Sequence, residues 1–385
     1  MRKIGILTYS REYSNLGTVM QCYSTLKAIQ RAYPDARVEV IDCSLSNPVV
    51  RPYLSDVTFR SLTNDWIRIG KYRDFFRDEL ILSPHNLTTS NRDKAIEFIK
   101  SQHYDAIYVG SDTVLELKGA APDRLNAYWL DETLSGPKFF MAASSHNVTC
   151  EALSSSQQKQ IRETLNSFTL LGVRDQATSR LLSHFIRPGD GRLEFVPDPT
   201  FTCEIDYRYA DQYFKRHNVP AGKPIVCLHL LRYTNWAAAL AAYFRKQGYV
   251  VASLRPAHYA DLLLTDLSPF EQTGIYRYFS LVITHRFHDS VFCLKNLTPV
   301  LAFPEHPTDV TQYGDSKLHS LFSTFSLQDT NYIARSDSLS AEYLIDRYQA
   351  AIEGYKDHRE TIERTLQSQR ALYDAFLARS AMYVQ

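Results

Sequence analysis

The feature that most constrains this chain is a short apolar run, then a helical pattern, then a second apolar run. Residues 3–9 form an apolar run rich in Ile and Leu, residues 18–32 carry apolar side chains at helical spacing, and residues 37–42 form the next run. A strand, a helix and a strand in this order predict parallel strands joined by a right-handed crossover. The order therefore predicts an α/β fold on a parallel sheet.

The same alternation continues through the first half of the chain and begins again near Lys223. In the first half, further strands are predicted at 106–109, 138–143 and 170–173. In the second half, strands are predicted at 224–230, 249–254, 281–284 and 299–303. We therefore expect two Rossmann-like domains facing a cleft, an N-terminal one over residues 1–205 and a C-terminal one over residues 222–335, with a linker around 203–222.

Two segments depart from this alternation. Residues 46–90 are irregular, and we interpret them as an insertion in the N-terminal domain with a helix near 65–79. Residues 336–385 carry a mainly helical pattern. They predict a C-terminal helical segment that packs across both halves.

Composition excludes several classes of protein. The chain has 385 residues, of which 44% are hydrophobic and 22% charged, so a packed core is expected rather than disorder. A net charge of +1 argues against a general nucleic-acid binder. No apolar run is long enough for a membrane span and the N-terminus lacks a signal-peptide pattern, so we expect a cytoplasmic protein. The six cysteines form no C-x-x-C pair, and we expect no metal site.

Candidate ligand-binding residues follow the predicted strands, because ligands of open α/β sheets bind outside the carboxyl ends of the strands. In the first half these candidates are Asn15 and Gly17 at a helix start, Asp112, Ser144 and Arg174. Small polar residues at such positions also cap helices and form turns. Arg174 suits a phosphate or carboxylate, and the alternative is an ion pair with Asp175 or another carboxylate.

The segment ITHRFHDSVF (283–292) is the most suggestive of these strand ends. Packing does not call for His285, Arg286, His288 and Asp289 within five residues. Arg286 can bind an anion, and His288 can exchange a proton near neutral pH. The alternative is a chance cluster of surface residues.

Other residues of the second half are candidates for ligand contact. Tyr233 follows its first strand, and Arg255 and His258 follow its second, so these three are expected to touch an acceptor. Ser316 and Lys317 precede a helix and are expected to contact an anion. The alternative for this group is surface or packing residues.

Seven segments, in order, resemble motifs of the polysaccharide pyruvyl transferase family. They are NLGTVMQCYSTLKAI (15–29), YDAIYVGSDTVLE (104–116), FFMAASSHN (139–147), LLGVRDQATSRLL (170–182), FVPDPTF (195–201), LVITHRFHDSVFCLKNLTPVLAF (281–303) and GDSKLHSLF (314–322). Asp289 departs from the family pattern, where a small residue is common. The resemblance implies a fold like that of GT-B glycosyltransferases and a phosphoenolpyruvate donor. The implied acceptor is a cell-surface or exopolysaccharide precursor, free, lipid-linked or polymeric, whose sugar hydroxyls receive a pyruvate ketal.

The resemblance also implies roles for the candidate residues. By position, Arg174 and Arg286 would hold the donor, and His288 would be the general acid or base, with Asp289, Asp198 or Asp112 orienting it. The remaining expected donor contacts are Asn15, Gly17, Ser144, Ser316 and Lys317, and the expected acceptor contacts are Asp112, Tyr233, Arg255 and His258. No cofactor beyond phosphoenolpyruvate as co-substrate is implied.

Two alternative functions stay open at this point. One is a nucleotide-sugar glycosyltransferase of GT-B type. The other is a saccharide-binding relative without catalytic activity.

Overall fold

The structure is a computed structural model that describes most of the chain. The described residues are 1–10, 15–44, 59–117, 123–146, 148–217, 222–230, 234–304, 316–334 and 340–384. They form two compact units. Unit 1 comprises Met1–Val49, Phe76–Cys203 and Ser368–Gln385, and unit 2 comprises Val50–Phe75 and Glu204–Gln367.

Strands and helices alternate along both units. The described strands are β1 (Lys3–Leu7), β2 (Arg37–Val40), β3 (Cys43–Ser44), β4 (Leu87–Thr88), β5 (Ala106–Val109), β6 (Lys138–Ala143), β7 (Leu170–Val173), β8 (Leu193–Phe195), β9 (Ile225–His229), β10 (Val250–Ser253), β11 (Leu262–Leu263), β12 (Leu281–Thr284) and β13 (Val300–Ala302). The described α-helices are α1 (Leu16–Ala32), α2 (Phe59–Glu79), α3 (Arg92–Ser101), α4 (Ser155–Ser167), α5 (Gln176–Ser183), α6 (Tyr207–Arg216), α7 (Thr234–Lys246), α8 (Pro269–Ile275), α9 (Phe287–Lys295), α10 (Lys317–Thr324), α11 (Ala341–Asp357) and α12 (Arg359–Ala381).

Unit 1 is built on a six-stranded parallel sheet. Its strand order is β2-β1-β5-β6-β7-β8, and β1 lies between β2 and β5, with Ile6 opposite Val40 on one side and Tyr108 on the other. Nearly every residue of β1, β5, β6 and β7 is buried, as expected for a parallel sheet covered on both faces. The sheet confirms the α/β fold predicted from the first strand, helix and strand.

Unit 2 is built on a five-stranded parallel sheet with the order β11-β10-β9-β12-β13. The first strand of the unit, β9, is central. The chain passes from it through α7 to β10 and β11 on one side, and then crosses to β12 and β13 on the other. Each unit is therefore Rossmann-like, as the two series of strands predicted.

Helix α2 belongs mainly to unit 2, which differs from the interpretation of residues 46–90 as part of the N-terminal domain. The predicted helix exists, and Nζ of Lys71 lies 2.8 Å from Oε2 of Glu271 in α8. The rings of Phe75 and Phe270 meet edge to face at 5.0 Å. Helical periodicity predicts the helix, but only these contacts decide which sheet it serves.

The structure also assigns the segments at the unit boundary and at the C-terminus to units. The predicted linker around 203–222 contains α6, whose Ala210 packs against Gly274 of α8. In the segment 336–385, residues up to Gln367 belong to unit 2 and residues from Ser368 belong to unit 1. No helix within the described residues combines the length and the apolar character that a membrane span requires.

Candidate functional site

The carboxyl ends of β9 and β12 meet where the strand order of unit 2 changes direction. From β9 the chain fills one side of the sheet and then the other, so the boundary between β9 and β12 is the topological switch point. Ligands of open α/β sheets bind outside the strand ends at such a point. His229 ends β9 and lies opposite Thr284, which ends β12. These two residues therefore mark the candidate site in unit 2.

Asp289, in the first turn of α9, connects these two strand ends. Its Oδ2 lies 2.6 Å from Nδ1 of His229 and accepts a hydrogen bond of 2.8 Å from the hydroxyl of Thr284. Its Oδ1 accepts a hydrogen bond of 2.7 Å from the hydroxyl of Tyr276. Asp289 is 3% exposed and His229 6% exposed. A buried carboxylate with three donors is held in one orientation, and it holds the imidazole in turn.

The environment of Asp289 and His229 sets their protonation. Burial by itself raises the pKa of Asp289, but His229, Arg286 and the hydroxyl of Tyr276 lower it, and the net pKa lies below its usual value. Burial lowers the pKa of His229 below 6.5, and the charges of Arg286 and Arg255 act in the same direction. An ionised carboxylate can only accept hydrogen bonds. Nδ1 of the neutral imidazole therefore carries the proton, and Nε2 carries the lone pair.

Two guanidinium groups act electrostatically on His229 from the strand ends on either side of β9. Arg286 is the N-cap residue of α9, directly after β12, and Arg255 follows β10. Both are half-buried. His288 is half-buried too, and its ring meets that of Phe287 edge to face at 5.1 Å. The edge of the sheet thus combines guanidinium and imidazole groups.

This arrangement can bind an anion and accept a proton. Within the described residues, no group forms a hydrogen bond with Nε2 of His229. A buried polar atom of this kind is a position that a ligand or a water can satisfy. A hydroxyl placed there would donate its hydrogen bond to the basic nitrogen.

Unit 1 carries a second polar cluster, centred on Arg174 at the end of β7. Nη1 of Arg174 lies 2.8 Å from Oδ2 of Asp198, and Nη2 lies 3.4 Å from Oδ1 of Asp112. The guanidinium side chain is only 4% exposed. Asp198 also accepts hydrogen bonds from Nε2 of Gln21 at 2.6 Å and from the backbone N–H of Thr200 at 3.0 Å. The cluster is a buried ion-pair network.

This network bears on the roles predicted for Arg174 and Asp112. One guanidinium faces two carboxylates, so these side chains carry a net negative charge and do not by themselves attract an anion. The carboxylate pairing considered for Arg174 occurs, with Asp112 and Asp198 as partners. Asp175 instead caps α5. Donor binding by Arg174 and acceptor binding by Asp112 stay predictions.

Three further residues predicted in the first half lie in local backbone contacts. Asn15 caps α1, and its side chain accepts a hydrogen bond of 3.0 Å from the N–H of Gly17. Ser144 is fully buried, and its hydroxyl accepts a hydrogen bond of 3.2 Å from the N–H of His146. The capping and turn formation considered for these residues are present, and donor contact stays a prediction for all three.

The structure describes three of the four remaining predicted residues of the second half. Ser316 caps α10, and its hydroxyl also lies 3.0 Å from that of Tyr332. Lys317 is the half-buried first residue of the same helix, and His258 is exposed. Tyr233 lies outside the described residues. Ligand contact by these residues stays a prediction.

Sequence reasoning missed His229, Tyr276 and Thr284. The rule for open α/β sheets points to the residues that follow each strand, whereas His229 and Thr284 are the last residues of their strands. A histidine at the end of an apolar strand was the available signal for His229. Tyr276 carries no local signal. Asp289 was expected beside His288, but consecutive side chains on a helix point about 100° apart, and the carboxylate reaches His229.

A metal site of protein ligands would need several His, Cys, Asp or Glu side chains close together. Among the residues that the structure describes, no three His, Cys, Asp or Glu side chains are grouped as metal ligands.

Several solved structures are similar to this chain over almost its whole length. UDP-GlcNAc 2-epimerase from Neisseria meningitidis bound to UDP-GlcNAc has a TM-score of 0.59 at 9% identity, over 99% of this chain and 100% of that one. A putative UDP-N-acetylglucosamine 2-epimerase from Listeria monocytogenes has a TM-score of 0.54 at 10% identity, over 98% and 94%. The S. aureus MnaA–UDP structure has a TM-score of 0.51 at 10% identity, over 96% and 91%. At this identity the likeness shows the fold, which is GT-B-like.

Sequence comparison identifies the family. A search of the curated proteins finds no significant match. The family model described as polysaccharide pyruvyl transferase matches residues 15–307, about three quarters of the chain. That match includes the strand ends of β9 and β12 and the network around Arg174. The chain therefore belongs to the polysaccharide pyruvyl transferase family.

Proposed function

We propose that this protein transfers a pyruvyl group from phosphoenolpyruvate to two hydroxyls of a saccharide, forming a pyruvate ketal and releasing phosphate. Family membership supports a pyruvyl transferase reaction. The observation that carries the proposal is the cationic edge of the unit 2 sheet, where the charges of Arg286 and Arg255 act on the buried, neutral His229.

The donor determines which residues the site needs. Phosphoenolpyruvate carries a phosphate and a carboxylate, so at least two cationic ligands should converge on it. Guanidinium groups match both anions with paired hydrogen bonds. Arg286 and Arg255 follow the strands on either side of β9, and both are proposed to bind the donor. Arg255, assigned to the acceptor from the sequence alone, is here proposed as a donor ligand.

The reaction adds one proton to the donor and breaks its bond to phosphate. Protonation of the methylene carbon forms a methyl group and leaves cationic character on the adjacent carbon. One sugar hydroxyl attacks that carbon and gives up its proton. The bond to phosphate breaks, and a second hydroxyl closes the ketal and gives up its proton. Of the two protons released, one balances the new methyl group and one leaves with phosphate.

His288 is proposed as the acid that protonates the methylene carbon. It lies two residues after Arg286, in the first turn of α9, so a donor bound by Arg286 comes within reach of the same turn. Arg174 is proposed to maintain the unit 1 network, since two carboxylates already neutralise its charge.

The test follows phosphate release from phosphoenolpyruvate in the presence of galactose- and mannosamine-containing saccharides, both free and lipid-linked. We expect phosphate release that requires an acceptor, and a product that mass spectrometry identifies as the pyruvate ketal. Arg286→Gln should raise the KM for phosphoenolpyruvate by about ten- to a hundredfold, because a charged hydrogen bond to the donor is lost.

A matched control separates this effect from general damage. Arg277→Gln removes an arginine of the same unit that stacks on the ring of Tyr207 at 4.4 Å and is 44% exposed. It should leave the KM within about twofold of the wild-type value. The proposal fails if no acceptor elicits phosphate release. Sugar transfer from a UDP-sugar without phosphoenolpyruvate would favour a nucleotide-sugar glycosyltransferase, since the structures of similar fold are UDP-sugar enzymes.

A further inference from the structure

The proposed reaction needs a base for the attacking hydroxyl, and the site contains one that the sequence did not reveal. We infer that Nε2 of His229 accepts the proton of the attacking sugar hydroxyl, and that Asp289 is the residue that positions it. This inference rests on the proposed function and assigns the proton transfer within the same site.

The first support is the fixed orientation of the imidazole. Nδ1 of His229 is held by Asp289, which is itself held by the hydroxyls of Tyr276 and Thr284. The hydroxyl of Thr284 also accepts a hydrogen bond of 3.0 Å from the N–H of Arg286. The base and the proposed donor ligand are thus tied to the same loop. A base whose ring is held this firmly needs little reorganisation during the reaction.

The second support is the buried ring nitrogen that is left without a hydrogen bond. The carboxylate of Asp289 lies on the Nδ1 side of the ring and accepts hydrogen bonds from the hydroxyls of Thr284 and Tyr276. Nε2 has no hydrogen-bond partner among the described residues. His229 is the last residue of β9, at the edge of the sheet where ligands of such sheets bind.

The third support is the balance of charge. The groups acting on His229 are Asp289 of α9, Arg286 at the start of that helix and Arg255 after β10. The two cations oppose protonation of the imidazole, whereas Asp289 favours it. A dianionic donor on the arginines would cancel their charge and make His229 more basic. Proton transfer from the hydroxyl is thereby coupled to the presence of the donor.

The proton and electron pairs balance in this step. The O–H bond of the sugar breaks, its electron pair forms the bond to the donor carbon, and the proton moves to Nε2. The imidazolium then returns the proton to the departing phosphate. His288 remains the proposed acid at the methylene carbon, so the two histidines act on different atoms.

The first experiment compares His229→Gln with His217→Gln. His217 also contacts an aspartate of unit 2, with Nε2 3.4 Å from Oδ1 of Asp266, so its substitution is a matched control. His229→Gln should lower kcat by about a hundredfold or more, with the KM for phosphoenolpyruvate within about threefold of the wild-type value. His217→Gln should keep both constants. A kcat of His229→Gln equal to that of His217→Gln would overturn the inference.

A second measurement does not depend on turnover. Nitrogen-15 NMR of the wild-type histidines, with His229 assigned from the variants, should show a neutral ring protonated at Nδ1. Its pKa should lie below 6.5 in the free protein and rise on saturation with phosphoenolpyruvate. Protonation at Nε2, or an unchanged pKa in the complex, contradicts the inference.

If His229→Gln does not fold, Tyr276→Phe replaces it. This change removes one donor from Asp289, whose charge then acts more strongly on His229. The acidic limb of the kcat profile should move to higher pH, and an unmoved limb overturns the inference. If the wild-type protein releases no phosphate with any acceptor, the proposed function itself is wrong. If the wild-type protein is active and His229→Gln is equally active, only the role of His229 is contradicted.

Discussion

Nδ1 of His229 lies 2.6 Å from Oδ2 of Asp289, although 60 residues separate them in the chain. The contact exists because β9 and β12 are neighbours in the sheet, with His229 opposite Thr284. Helix α9 begins three residues after Thr284 and brings Asp289 back over the strand ends in its first turn. The register of the sheet and the direction of α9 together bring His229 and Asp289 into contact.

Loss of the carboxylate should impair turnover without abolishing donor binding. Asp289→Asn retains an oxygen that can accept from Nδ1 but removes the charge that stabilises the imidazolium. We expect kcat to fall by about a hundredfold or more. Steady-state phosphate release at saturating donor measures this effect. The control is Asp266→Asn, at the contact between Asp266 and His217. A kcat of Asp289→Asn within about threefold of the wild-type value would speak against the positioning role.

Acidification should destabilise the protein partly through His229. Burial lowers the pKa of this histidine in the folded state. Between that pKa and the unfolded value, the unfolded chain binds a proton that the folded chain does not, so stability falls as the pH falls through this window. One such group changes the free energy of unfolding by up to about 1.4 kcal/mol per pH unit.

The measurement is urea denaturation at about pH 7.5 and about pH 5.5. His229→Gln removes the titrating group, so its stability should change less between the two conditions than that of the wild type. His217→Gln controls for the loss of a histidine. Equal pH dependence in wild type and His229→Gln would show that His229 does not resist protonation. Asp289, whose pKa is lowered, stays ionised across this window.

The buried network of unit 1 should be sensitive to the loss of one charge. Asp198→Asn removes the carboxylate charge that lies 2.8 Å from Nη1 of Arg174 and turns an amide group toward other donors. Breaking a buried ion pair costs about 3–5 kcal/mol. The free energy of unfolding from urea titration measures this cost. Asp93→Asn breaks the exposed pair with Arg124 and should cost no more than about 1 kcal/mol. Similar costs for the two variants would contradict the structural role of the network.

Two glycines should respond in opposite directions to the same substitution. A Cβ on Gly172 in β7 would lie 2.7 Å from the carbonyl oxygen of Phe140 and 2.8 Å from the ring of Phe376, so Gly172→Ala should destabilise by about 1–3 kcal/mol. A Cβ on Gly70 in α2 would meet no described atom within 4 Å. Gly70→Ala should therefore stabilise by roughly 0.5–1 kcal/mol through helix propensity. Urea titration of both variants checks the sign, and a neutral Gly172→Ala would show that α12 packs more loosely on β7.

The sequence predicted the buried strands of both sheets, because such strands are apolar runs that local composition reveals. It did not predict the short strands β8 and β11, whose residues are only partly buried. The run at 3–9 became β1 and the run at 281–284 became β12, with the expected helices after them. The place of α2 was not predictable in this way. Its periodicity shows that one face is buried, whereas the ion pair of Lys71 with Glu271, 200 residues away, decides where.

The candidate site, like the fold, has features that the sequence predicts and features that only the tertiary structure reveals. The amino-acid sequence by itself determined the two α/β units, the family and the cluster around Arg286 and His288, because these depend on local periodicity and on motifs within a few residues. Only the tertiary structure decided that Asp289 holds His229, and that Arg174 is neutralised by Asp112 and Asp198. Hydrogen bonds and ion pairs act over about 3–4 Å. Which distant residues come that close is fixed by strand order and register, which no local pattern encodes.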